Sequence, residues 1–318
     1  MRALVVSNML PDAAHPERGS FVRDQVAALR VLEGLEVELY EFPPGGQALA
    51  RAALDLRRRY AGPSTFTRRP PSRPFDLVHA HFGLAAWPAL AVPARVRALT
   101  VHGTDLSHPR TRLATAAVLP CIDLLAAVST SLVRELPGAA ARRRAQVLPC
   151  GVDLERFGPL PRAQARAELG LDPERPHLLF PADAARPEKR YDRALALARQ
   201  SGVELLQLGA VDPTQVPLWV NAANAVLVPS EREGFGLAVL EALACDVPVL
   251  ATPVGIHADA LEGVAGTLCA PFDLARWHAA LEPHLAAPDP RVDGRQSAAR
   301  FSARAMAERV RTAWLGAL

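Results

Sequence analysis

Lysine is nearly absent from this 318-residue chain: of its 36 basic residues only Lys189 is a lysine, and the rest are arginines. A lone compact ammonium in so arginine-rich a composition is either one surviving surface lysine or a site that needs a point charge for an anion where a guanidinium would offer a planar fork. Cysteine is also scarce. Cys121, Cys150, Cys245 and Cys269 form no CxxC pair and no His-rich cluster, which argues against a structural zinc site or a disulfide framework and fits a reducing cytoplasm. No segment approaches the ~20 apolar residues of a membrane helix. The apolar run near the N-terminus is too short for a signal peptide or anchor. There is no P-loop and no G-x-S-x-G elbow, and Gly234-Phe235-Gly236-Leu237-Ala238-Val239 lacks the third glycine of a dinucleotide fingerprint. A D-x-D pair, which would let a metal bridge a diphosphate, is missing too. No metal or other cofactor is expected, so protein cations and backbone N–H groups would have to carry any phosphate charge.

What is present points to an α/β protein. Half of the residues are apolar and aromatics make up 5%; the length suggests two domains, each with its own core. Apolar runs read as buried strands at Arg2–Ser7, Val37–Phe42, Asp76–Phe82, Ala98–Asp105, Ile122–Ser129 and Ala145–Pro149. In the second half they recur at His177–Ala182, Glu204–Gly209, Ala225–Ser230 and Pro248–Gly255. Helical patterns alternate with them, which predicts parallel, doubly wound sheets. Ser20 is placed to cap the helix that follows it, and Ser129 or Thr130 a later one. Residues 159–176 hold four prolines and read as a hinge, and Ser297–Leu318 reads as one long amphipathic helix.

Charge is uneven. Residues 1–160 carry 20 arginines against 14 acids, and residues 161–318 carry 16 basic residues against 19 acids. The basic half suits a solvated surface or contact with an anionic membrane through Arg57–Arg59, Arg68, Arg69 and Arg73. Basic residues are not interleaved with aromatics as in a nucleic-acid groove, so nucleic acid is not an expected partner.

The stretch Pro229–Leu250, PSEREGFGLAVLEALACDVPVL, organises the second half. A polar break leads to Glu233-Gly234-Phe235-Gly236 and then a strong helix former. Glycines at a helix start let a ligand approach the backbone, and the first turn offers unpaired N–H groups to an anion. Glu233 precedes the helix and Glu241 is expected about two turns into it, so two carboxylates can meet one ligand at different depths. In the first half, His102 closes a strand in the run His102-Gly103-Thr104-Asp105, at the strand end where ligands sit in open parallel sheets. His79 and His81 share one face of the preceding strand; hydrogen bonding is the commoner use of such a pair, metal binding the rarer.

Glu233 and Glu241, with seven residues between them in the setting EGFGLAVLEALAC, resemble the E-x7-E signature of the retaining glycosyltransferases of family 4. Further matches are the D-x-x-H-x-H strand, HGTD, the segment Val147–Phe157 and the P-E-K run ending at Lys189. The resemblance implies a GT-B fold: two doubly wound parallel-sheet, Rossmann-like domains facing a central cleft. Residues 1–158 would form the acceptor-side domain and 159–296 the nucleotide-sugar domain, with the helix from about 297 to 318 returning to the first. It implies transfer of a sugar from a nucleotide-diphosphate donor, UDP- or GDP-linked, to a sugar or lipid-linked sugar acceptor, in cell-envelope or exopolysaccharide synthesis. The enzyme would be cytoplasmic, working at the inner face of the membrane.

The same resemblance assigns residues. Glu241 would bind ribose hydroxyls. Glu233 and the backbone N–H groups of Phe235, Gly236 and Leu237, beside Gly234, would hold the donor sugar. Lys189 would steady the diphosphate, with Arg186 or Arg190 in place of the arginine the family has where this chain has Ala184. His102 would face the sugar, and Gly19 stands where the family has a glycine-rich loop. Departing phosphate would take the acceptor proton, so no nucleophile is named, and donor binding would close the two domains. Cys150 replaces a family asparagine, and only Gly255 survives of a Gly-Gly pair. A sugar-nucleotide epimerase or hydrolase, or an inactive nucleotide-sugar-binding protein, is the alternative on the same fold.

Overall fold

The computed structural model describes residues 1–61, 74–209 and 211–318; Arg68, Arg69 and Arg73, singled out above for membrane contact, lie outside them. The chain divides into two compact units. One comprises Met1–Ala13, Arg18–Gly151 and Ala303–Leu318, the other Ala14–Glu17 and Val152–Ser302.

The first unit holds a six-stranded sheet: β1 (Arg2–Ser7), β2 (Glu36–Glu41), β3 (Phe75–His81), β4 (Ala94–Val101), β5 (Leu124–Ala127) and β6 (Gln146–Val147). Their order is β2-β1-β3-β4-β5-β6 and every pairing is parallel. Successive side chains of a strand point to opposite faces, and where both faces are covered, as along β1 and β5, the strand is almost continuously apolar, whereas β2 alternates charged and apolar residues. Ala3 and Val5 face a core shared with Val22, Val26 and Leu29 of helix Ser20–Arg30 and with Met306, Val310 and Trp314 of helix Ala303–Ala317. Val78 and Ala80 meet Ala86 and Ala89 of helix Gly83–Ala89 on the other side. The final helix buries Met306, Ala307, Val310, Ala313 and Trp314, a spacing that puts one stripe against the sheet. Each large apolar side chain so buried contributes roughly 1.5–3 kcal/mol.

The second unit holds β7 (His177–Phe180), β8 (Glu204–Gln207), β9 (Ala225–Val228), β10 (Val249–Ala251) and β11 (Leu268–Cys269), again all parallel, in the order β11-β10-β9-β7-β8. Helices Tyr191–Ser201 and Leu274–Ala286 cover one face through Ala194, Leu197, Trp277 and Leu281.

Three local expectations are corrected. Ser20 is the first helical residue rather than the cap. Gly19 takes the cap position with a left-handed φ of 71° and no side-chain cap bond. A Cβ at Gly19 would lie 2.5 Å from the Met9 carbonyl oxygen, so the close pass of the loop requires glycine. The proline-rich segment 159–176 is not a joint between the units, for it lies inside the second. Arg162, 1% exposed, donates to the carbonyls of Ala223, Pro288 and Pro290, and Arg166 to Ala222 and to Asn224 Oδ1. The chain crosses instead between Gly151 and Val152, and between Ser302 and Ala303. The last helix is accordingly two, Arg295–Ala299 and Ala303–Ala317. Between them the Phe301 carbonyl accepts the Val152 N–H at 2.9 Å and leaves the helical pattern. Gly151 lacks the Cβ that would lie 2.8 Å from Ala303 Cα. Ser129, of the two possible caps, is the one that accepts the Leu132 N–H.

Candidate active site

In a doubly wound sheet the chain leaves the first strand to one side and later returns to the other, and the gap at the carboxyl ends between those neighbours is the usual ligand site. In the second unit that switch point lies between β7 and β9. β7 runs out towards the short 3-10 turn Pro187–Lys189, and β9 runs out into Pro229–Gly236. The two loops are tied together: the Glu231 N–H donates to the Glu188 carbonyl at 2.9 Å. Lys189 Nζ donates to both carboxylate oxygens of Glu233 at 2.8 and 2.7 Å, and Ser230 Oγ donates to Glu233 Oε1 at 2.7 Å. The two side chains are 16% and 7% exposed. Burial alone would push the Glu233 carboxyl up. The charge and hydrogen bonds of Lys189, aided by His257 and Ser230, outweigh it and hold the group below the ordinary carboxylate range.

Helix Leu237–Ala244 starts immediately after this pair, with Gly236 as its cap at φ 100°. Glu241 therefore lies one turn into the helix rather than two, half-buried. Gly236 has an intramolecular reason to be glycine besides ligand approach. The ring of His257 lies under it, and a Cβ at Gly236 would stand 2.3 Å from His257 Nε2. His257 is fully buried, and its Nδ1 meets the Thr252 carbonyl at 2.8 Å, so Nδ1 carries the proton. Gly236→Ala combines a left-handed φ with that clash, so it should destabilise the protein by more than about 1 kcal/mol, and His257→Ala should restore part of the loss. An unaltered urea midpoint for Gly236→Ala would show that the turn is not held as described.

Phe235 anchors the turn: it is 6% exposed, its ring lies 6.4 Å from that of Phe301, and its carbonyl accepts the Ile256 N–H. Gly255, at φ 60°, passes so close that a Cβ would lie 2.3 Å from the Phe235 carbonyl oxygen. Both arginines considered beside Lys189 already have carboxylate partners. Arg186 is bound to Glu188, and Arg190 to Asp192 and Glu231.

The first unit assembles a second group at the carboxyl ends of β3 and β4. Neither His79 nor His81 has a spare ring nitrogen. His79 meets Thr100 Oγ1 at 2.8 Å and the Trp314 indole N–H at 3.1 Å; His81 meets Gln25 at 3.2 Å and His102 Nε2 at 2.9 Å. His102 is enclosed by the rings of Phe21, Phe82 and His81 at 4.9, 4.7 and 5.1 Å. Gly19 acts here at one remove, by starting the helix that carries Phe21. Phe82 holds a φ of 73°, a conformation costing of order 1–3 kcal/mol that persists where its surroundings over-determine it. The His102 backbone N–H donates to Asp105 Oδ2 at 2.9 Å. Burial pushes the Asp105 carboxyl up to about 7 and pushes His102 well below its ordinary value. Cys150 is buried and its thiol is pushed up to about 12 by burial, so it stays protonated.

Ser230, His257, Gln25 and Asp105 belong to these groups and were not singled out by sequence. Ser230 stands beside the Glu233–Glu241 motif and Asp105 closes the HGTD run; His257 and Gln25 reach these groups from elements that show nothing but ordinary periodicity.

Two doubly wound parallel sheets in one chain, the second carrying an ammonium–carboxylate pair at its switch point, are the architecture of the GT-B fold. Solved structures share the fold over nearly the whole chain. Sucrose-phosphate synthase from Thermosynechococcus elongatus aligns at a TM-score of 0.70 with 20% identity, covering 99% of this chain and 98% of its own. The Anabaena protein HepE, in complex with UDP and glucose, aligns at 0.67 with 16% identity, covering 100% and 99%. The model described as Glycosyltransferase Family 4 matches residues 19–156, and that described as Glycosyl transferases group 1 matches residues 166–301. The D-inositol 3-phosphate glycosyltransferase of Actinosynnema mirum is 33% identical, covering 89% of this chain and 78% of the relative. Its counterpart from Pseudarthrobacter chlorophenolicus is 31% identical over 73% of this chain and 68% of the relative. The chain belongs to the family 4 glycosyltransferases. Among the described residues no helix is long and apolar enough to cross a membrane.

Proposed function

We propose that the protein transfers a sugar, with retention at the anomeric carbon, from a nucleoside-diphosphate donor to an acceptor hydroxyl. The observation that carries this reading is the Lys189–Glu233 pair at the β7/β9 switch point, at the start of the helix bearing Glu241. An ammonium and the N–H groups of a helix start favour the charge that develops on a departing diphosphate. Glu233, already oriented by Lys189 and Ser230, accepts hydrogen bonds from sugar hydroxyls. Glu241 accepts from the ribose diol, and His102 donates to the sugar. Lys189 and the N–H groups of the helix start balance the phosphate charge without a metal. UDP is the first donor base to try, because the HepE structure contains it. D-inositol 3-phosphate, named for the curated relatives, is the first acceptor, ahead of lipid-linked sugars of the cell envelope. Arg57, Arg58 and Arg59 end the helix Gly46–Tyr60 and give an anionic membrane surface a place to bind.

The deciding experiment incubates the protein with UDP- and GDP-sugars in EDTA, with and without each acceptor, and follows the anomeric configuration of the product. Transfer that requires acceptor and retains configuration supports the reading. Donor hydrolysis or epimerisation without acceptor, or nucleotide-sugar binding with no turnover, replaces it. Glu241→Ala should weaken binding of the free nucleoside diphosphate by about 1–3 kcal/mol, the range for a hydrogen bond to a charged group. Calorimetry that finds unchanged affinity in a folded variant would remove Glu241 from the site.

A further inference from the structure

Two histidines of the first unit, His81 and His102, are joined in a line that starts at Gln25 inside helix Ser20–Arg30 and ends at His102. Gln25, 7% exposed, directs its amide nitrogen Nε2 at His81 Nε2, 3.2 Å away. An amide NH2 only donates, so His81 Nε2 accepts and bears no proton. A neutral imidazole has one proton to place, so the His81 proton is on Nδ1 and is donated to His102 Nε2 at 2.9 Å. His102 Nε2 is then the acceptor, and the His102 proton must be on Nδ1. Burial keeps both rings neutral, pushing His81 down to about 3 and His102 well below its ordinary value. His79 shows the same logic with the opposite result. The Trp314 indole can only donate, so His79 Nδ1 accepts and its proton sits on Nε2, towards Thr100 Oγ1. Rings 4.6 Å apart on one strand are thus held in opposite tautomers by donors on two different helices.

We propose that Gln25 is a positioning residue that acts through His81 to fix His102 as the neutral Nδ1–H tautomer, so that His102 offers its ligand a hydrogen-bond donor and no lone pair. This rests on the reading above that His102 meets the donor sugar. His102 then selects a sugar with an oxygen acceptor at that position, a hydroxyl or ring oxygen. It takes no proton from the acceptor substrate, since its one basic nitrogen is already occupied by His81. The sequence offers no sign of this, because Gln25 lies 56 residues from His81 in an unremarkable helix.

The test uses the full-length protein labelled with 15N-histidine, with His102 assigned by loss of its signals in His102→Asn. Two-bond nitrogen–proton spectra should show wild-type His102 protonated at Nδ1 near pH 7. Gln25→Glu replaces the donor with an acceptor, so it should reverse the line and move the His102 proton to Nε2, with kcat/KM for the sugar nucleotide at least tenfold lower. Gln25→Met removes the donor without adding charge and should leave a mixture of tautomers, which keeps the test available if the buried carboxylate prevents folding. Wild-type His102 protonated at Nε2, or a tautomer indifferent to both Gln25 substitutions, overturns the proposal. A reversed tautomer with unchanged kcat/KM upholds the lock and instead takes down the reading that His102 meets the sugar.

Discussion

Lys189→Ala is expected to lower the stability of the second unit as well as its turnover. The ammonium is the main counter-charge of a carboxylate that is 7% exposed. Removing one partner of a buried pair leaves the other uncompensated, at a cost of about 3–5 kcal/mol. The cost should ease at low pH. Without Lys189, burial is the dominant influence on Glu233 and raises its pKa, so the variant regains stability as pH falls and the carboxyl takes up a proton. Lys189→Arg should restore part of the stability, because it returns a positive charge, and less of the activity, because a planar fork cannot reproduce a point charge aimed at a diphosphate. The double variant Lys189→Met with Glu233→Gln removes both charges and should recover most of the stability while remaining inactive. Urea unfolding of the four proteins, with turnover measured alongside, separates the two roles. A Lys189→Ala variant within about 0.5 kcal/mol of wild type, the size of an ordinary surface substitution, would mean that the pair is solvated.

The contrast between Lys189 and its neighbours shows what a sequence can reveal. A single lysine among arginines is visible because composition is a global property. Glu233 and Glu241 are visible because their spacing falls within one turn-and-helix unit. The strand alternation likewise fixes two parallel sheets, since burial on both faces leaves apolar runs that any reader of the chain can find. The bond between Lys189 and Glu233 spans 44 residues, and only the switch-point topology of the second sheet brings their loops together. The sequence hinge failed for a related reason. Prolines at 159–176 punctuate the chain equally well in a linker or in a packed segment, and the side chains of Arg162 and Arg166 decide the matter by binding carbonyls up to 128 residues away. The long C-terminal helix failed because amphipathic periodicity continues through residues 300–302, where the Phe301 carbonyl turns to Val152. Glu241 lies one turn into its helix rather than two because Gly234 and Phe235 stay outside the helix and Gly236 caps it.

Acid should unfold the protein well before its carboxylates are all protonated, and the first unit is the reason. His79, His81 and His102 are all held below their ordinary values: burial is the main cause for each, with the charge of neighbouring rings adding to it for His79 and His102. In the unfolded chain each takes a proton near pH 6.5. In the folded chain His81 does so only at about 3, and the other two likewise resist. Below pH 6.5 the unfolded state binds more protons at each ring than the folded state does, so stability present above pH 6.5 is lost as pH falls. Asp105 works the other way. Its carboxyl titrates near 7 in the folded state against about 3.9 when unfolded, so the folded protein holds the extra proton and gains stability as pH falls through that window. One raised carboxyl opposes three lowered rings, so the cluster as a whole loses stability as pH falls below 6.5. His177, His257 and His284, also lowered chiefly by burial, add a loss of the same sign in the second unit. A total stability of only about 5–15 kcal/mol leaves little reserve against this loss, so unfolding should set in on the acid side of pH 6.5. Urea midpoints at pH 7, 6 and 5 should therefore fall steeply. Asp105→Asn should make the decline steeper, since it removes the opposing proton, and His79→Phe should make it shallower by one ring's share. Midpoints that hold level from pH 7 to pH 5 would show that the three rings are protonated in the folded state, and the neutral line from Gln25 to His102 would fall with them.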